Sequence, residues 1–84
     1  MRELFIGDKV SNGAETFEVV AKGLAKQIIV ELQYRGQTTH STAEYEDLAG
    51  DLGAFAYGIQ LDGEIAIYEA STIGEFFSLV EEKK

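Results

Sequence analysis

The chain has 84 residues, no Cys, no Pro, 45% apolar residues and a formal net charge of −8. A chain of this size buries only about 60–65% of the surface its unfolded form exposes. Lacking Cys, it has no disulfides, thiolate metal sites or Cys nucleophile, so packing alone must build the core of a single domain spanning 1–84. No apolar run approaches the roughly 18–20 residues of a membrane span. Met1–Asp8 has one base and a short apolar patch cut by Gly7, unlike a signal peptide, so a cytoplasmic protein is expected.

Charge is unevenly distributed. Residues 1–35 carry five acids (Glu3, Asp8, Glu15, Glu18, Glu31) and five bases (Arg2, Lys9, Lys22, Lys26, Arg35). Residues 36–82 carry ten acids and no Lys or Arg, and only Lys83 and Lys84 follow. Direct binding to nucleic acid needs clustered Lys and Arg, and this half has none. Its charge suits a solubilising surface, a cation or a basic protein partner.

Asn12-Gly13 is a strong hairpin signal, because a type I′ turn needs positive φ at both central residues. It separates a first strand over Leu4–Val10 from a second over Thr16–Ala21, which Lys22-Gly23 ends. Next, Ile28, Val30, Leu32 and Tyr34 alternate with Glu31, Gln33 and Arg35, predicting a third strand. Arg35-Gly36 then reads as a turn into a fourth strand, Gln37–His40. A rival reading is one helix over 13–34, since Asn12 with Glu15 resembles a capping box and Phe17, Val20, Leu24, Ile28 and Leu32 fit a helical stripe. Gly23 would cost that helix about 1 kcal/mol and its β-branched run packs poorly there, so strands are preferred.

Ser41-Thr42-Ala43-Glu44, followed by Tyr45 and Leu48 and ended by Gly50, predicts a short helix near 42–50. Ala54–Gln60 and Glu64–Glu69 form the next hairpin. A two-residue Asp62-Gly63 turn would set Ile59 against Ala66. A three-residue Leu61-Asp62-Gly63 loop sets Ile59 against Ile65 and Tyr57 against Ile67, gathering the apolar residues on one face, and is preferred. Thr72-Ile73-Gly74-Glu75 is a capping box leading Ile73, Phe76, Phe77 and Val80 at helical spacing, which predicts a C-terminal capping helix over 72–83.

The expected fold is therefore α+β. It has a small, mostly antiparallel sheet or SH3-like partial barrel of about six strands, a helix near 42–50 and a helix over 72–83. The alternative is a long helix 13–34 packed on a C-terminal hairpin. Over residues 7–48 the first four strands, opening with Gly7-Asp8-Lys9-Val10, resemble SH3-like small barrels; the resemblance implies no activity.

Catalytic chemistry finds little support. His40 is the only histidine. No Ser lies in a nucleophile-elbow sequence, and across an Arg35-Gly36 turn His40 would pair with Glu31 as a structural contact. There is no P-loop or GxGxxG, and Gly50-Asp51-Leu52-Gly53 puts an acid where phosphate wants amides. Glu44, Asp47 and Asp51 would share a helix face and could approach a hard cation, but no EF-hand spacing is present. No cofactor or resident metal is assigned.

Tyr45 between Glu44 and Glu46, with Asp47 and Asp51, has the composition of a surface that captures Arg or Lys. The expectation is thus a non-enzymatic acidic protein using Glu44, Tyr45, Glu46, Asp47 and Asp51 to bind a basic partner, as an inhibitor or nucleic-acid mimic. It would have no direct nucleic-acid or membrane role. The alternatives are a homodimer or other homo-oligomeric module, and a small metal-binding or enzymatic domain using Glu44, Asp47 and Asp51.

Overall fold

The computed structural model describes residues 3–37 and 53–80. They form β1 (Lys9–Ser11), β2 (Thr16–Leu24), α1 (Ala25–Tyr34), β3 (Phe55–Leu61), β4 (Glu64–Glu69), α2 (Ala70–Phe76) and β5 (Ser78–Val80). The strands make one open antiparallel sheet in the order β4-β3-β2-β1-β5. The α+β class and the antiparallel sheet match expectation. Among the described residues the sheet has five strands and is not closed into the expected six-strand SH3-like barrel, because the third expected strand is a helix.

That helix is α1, the main correction. Ala25, Ile28, Ile29 and Leu32 follow the i, i+3, i+4, i+7 spacing and are all buried, whereas Val30 and Tyr34 face outward. The β-branched run that favoured a strand is worth only tenths of a kcal/mol per residue, less than burying an apolar stripe. Arg35-Gly36 is the helix end rather than a hairpin turn. Gly36 N–H donates to Gln33 O and Gln37 N–H to Leu32 O, the Schellman arrangement. Glu31 sits on this helix, paired with Arg35, so the strand geometry that would set it across from His40 is absent. The rival helix 13–34 is correct only from residue 25, because Thr16–Leu24 is strand.

Both sheet faces are covered, each by its own helix. On one face α1 packs Ala25, Ile28, Ile29 and Leu32 against Ala56, Ile65 and Ile67. On the other, Leu4, Val10, Val19, Tyr57 and Ile59 form a core with Ile73 of α2 and Phe77. Two-sided burial explains the register of the second hairpin. Leu61 pairs with Glu64, Gln60 with Ile65, Ile59 with Ala66 and Tyr57 with Tyr68. The loop is therefore the two-residue Asp62-Gly63 turn, with φ of 50° and 84°, as type I′ requires. The three-residue loop would gather the apolar side chains on one face; with a core on each face that gathering has no value. Gly63→Ala places a Cβ in a left-handed residue and is expected to cost about 1–2 kcal/mol, read from thermal unfolding.

Several elements also start or stop at residues other than those expected from the sequence. The Asn12-Gly13 hairpin exists, but Ser11 pairs with Thr16, so its loop is 12–15. Asn12 Oδ1 accepts from the Ala14 and Glu15 amides, which competes with a tight two-residue turn. The first strand begins only at Lys9, because the chain turns at Gly7-Asp8, where Asp8 Oδ2 accepts from the Phe5 amide. β2 runs through Lys22-Gly23 to Leu24. The C-terminal helix ends at Phe76 rather than 83. Phe77 is extended and buried, and β5 then pairs with β1, setting Leu79 opposite Val10. Phe76, expected in the core, is exposed. The helix near 42–50, most of the fourth strand and residues beyond 80 lie outside the described residues.

Candidate functional site

The sequence-predicted site residues Glu44, Tyr45, Glu46, Asp47 and Asp51, like His40, lie outside the described residues. Among the described residues no polar or charged side chain is buried and no cluster of His, Asp or Glu could hold a metal. What the fold does assemble is a concave, acid-rimmed surface at one end of the sheet.

Strand alternation places Ile59 and Leu61 on the face covered by α2, with Ala66 and Glu64 directly across from them. Phe17 joins this face through its pairing with Val10, and Tyr68 through its pairing with Tyr57. Helix α2 covers only the far part of the face. The near part is a groove of about 210 Å³ lined by Phe17, Ile59, Leu61, Asp62, Glu64, Ala66 and Tyr68.

Its aromatic walls are fixed from below. The Phe77 ring stands edge-on to Phe17 at 5.4 Å and to Tyr68 at 5.3 Å, a geometry favoured by ring quadrupoles. Asp62 sits in the turn and Glu64 opens β4, so both carboxylates stand at the rim and both are exposed. The register that pairs Glu18 with Gln60 brings the 12–15 loop, with exposed Glu15, to the same end of the sheet.

Two of the described bases, Lys22 and Arg35, are engaged away from this groove. Lys22 Nζ contacts Glu3 Oε1 at 2.9 Å, donates to the Leu4 carbonyl oxygen at 3.0 Å, and lies 4.2 Å from the Phe5 ring centre. With the bond from the Leu4 amide to the Tyr57 hydroxyl, this lysine ties the N-terminal segment to the sheet. Arg35 pairs with Glu31 at 2.9 Å. Lys9, opposite Glu18 in the register, borders an adjoining hollow that Phe17, Leu61 and Asp62 also line, and Lys26 lies on the outer side of α1 beside Val30 and Tyr34; neither lysine makes an ion pair among the described residues.

A larger groove of about 450 Å³ runs between α1 and the sheet, bordered by Ile6, Ile28, Leu32, Ile65 and the Glu31–Arg35 pair. Its lining holds two bases, Lys22 and Arg35, against one acid, Glu31, so it lacks the acidic rim of the smaller groove. Only part of the acid-rimmed groove was legible in the sequence. Asp62-Gly63-Glu64 is visible as a turn with two acids, but Phe17, more than forty positions earlier, joins it only through sheet pairing.

No helix among the described residues is long and apolar enough to cross a membrane. No protein-family model, curated protein or solved structure matches the chain.

Proposed function

We propose that this is a non-enzymatic binding protein that presents a negatively charged surface, drawn from residues 36–82, to a basic protein partner. The observation that carries this reading is ten acids and no Lys or Arg across that span. The groove beside Asp62 and Glu64 supports it, since its lining contains no base. A partner that itself binds nucleic acid fits best, the protein then acting as an inhibitor that imitates a nucleic acid's charge. A cytoplasmic location belongs to the same reading.

The test is capture from cell lysate by the tagged protein at low salt and at about 1 M salt, where screening shortens to roughly 3 Å. The control is a variant with Glu44→Gln, Glu46→Gln, Asp47→Asn and Asp51→Asn. A basic protein that is captured at low salt, released at high salt, lost with the variant and rebound after purification supports the reading. Capture indifferent to salt and to the variant overturns it.

A second reading, a homodimer, has one specific observation in its favour. β5 ends the sheet, nothing among the described residues pairs with its outer edge, and Phe76 and Val80 beside it are exposed. Such a dimer, held by backbone pairing and apolar contact, would keep its mass in light scattering at about 1 M salt, where charge-held assemblies dissociate.

A further inference from the structure

We infer that the groove formed by Phe17, Ile59, Leu61, Ala66 and Tyr68 under Asp62 and Glu64 receives the side chain of a lysine or arginine from the basic partner. This rests on the proposed binding function and assigns it a contact point. The apolar floor suits the aliphatic stem of such a side chain, which buries its methylenes and keeps its charge at the surface. Phe17 and Tyr68 also line it, and an aromatic ring attracts a cation that comes within about 6 Å of its centre.

The rim supplies the charge. Neither the Asp62 nor the Glu64 carboxylate makes an ion pair or hydrogen bond among the described residues, so neither must give up a partner to receive a cation. At about 210 Å³ the groove is smaller than the roughly 300–1,000 Å³ of small-molecule sites. It therefore fits one side chain rather than a cofactor. Two carboxylates at the mouth are too few for the six to eight oxygens that calcium takes.

The experiment is an amide chemical-shift titration with an end-blocked tetra-arginine peptide, with tetra-citrulline as the uncharged control of the same shape. Tetra-arginine is expected to shift Phe17, Leu61, Asp62, Glu64, Ala66 and Tyr68, and tetra-citrulline to leave them unmoved. Asp62→Asn with Glu64→Gln should weaken binding about threefold to tenfold, as expected for loss of two rim charges. Asn also tolerates the left-handed conformation of position 62, so the turn persists. Ala66→Leu keeps every charge but fills the groove, and it should abolish the same shifts while the rest of the spectrum stays unchanged.

Shifts confined to 44–51 and indifferent to both variants would overturn the groove yet leave the acidic-surface reading standing. An absence of any shift at low salt would overturn both.

Discussion

Ile29→Ala is expected to destabilise the protein by about 2–5 kcal/mol, the range for truncating a fully buried aliphatic side chain and leaving a cavity. Ile29 is 0% exposed, wedged between α1 and the sheet with Ala56, Ile65 and Ile67. Domains of this size have about 5–15 kcal/mol in total and lose about 4–8 °C per kcal/mol, so the melting temperature should fall by roughly 10 °C or more. Val30→Ala, one residue on, should stay within about 0.5 kcal/mol, because Val30 is 48% exposed. The contrast is diagnostic. A strand here would bury Ile28, Val30 and Leu32 and turn Ile29 outward, reversing the two effects. Urea unfolding of the pair decides between helix and strand.

Gly58→Val is the second large effect. Gly58 lies in the middle of β3, where a β-branched residue would ordinarily be favoured. The irregularity between Val19 and Ala21 sets Ala21 opposite Gly58, and a Cβ built on Gly58 would stand 3.0 Å from Ala21 Cβ and 3.6 Å from Ile65 Cγ2. The two further methyls of valine have no free space on the α1 face. Overpacking of this kind costs about 1–3 kcal/mol. Ala21→Gly in the same chain should recover part of the loss, a coupling expected of residues in direct contact. A loss in the double variant equal to the sum of the two single losses would show that the two backbones do not approach as described.

The elements legible in the sequence were those whose signals do not depend on distant partners. The second hairpin announced itself by Asp62-Gly63 between two apolar runs, and the first by Asn12-Gly13. What failed depended on the number of covered faces. Residues 25–34 carry both a period-two and a helical pattern, and what selects the helix is a sheet face, with Ala21, Ala56, Ile65 and Ile67, for its apolar stripe to pack against. Once α1 covers one face and α2 the other, Ile65 and Ile67 belong with the first and Ile59 with the second. The same reasoning shortens the C-terminal helix. Ile73 and Phe77 keep helical spacing, yet Phe77 anchors the rings of Phe17 and Tyr68, and Leu79 is drawn into the sheet opposite Val10. The acids of 44–51 were read from composition and lie outside the described residues. The acid-rimmed groove needed the register of three strands and could not be read from spacing alone.

The claim that the protein works through its negative charge is tested most directly by calorimetry on the purified basic partner, with salt raised from about 0.1 M to 1 M. Over that range the screening length falls from about 10 Å to about 3 Å. Affinity is expected to drop steadily by at least about tenfold, as it does for electrostatically steered complexes. An affinity unchanged across the series would contradict the charge-based reading and favour an apolar interface.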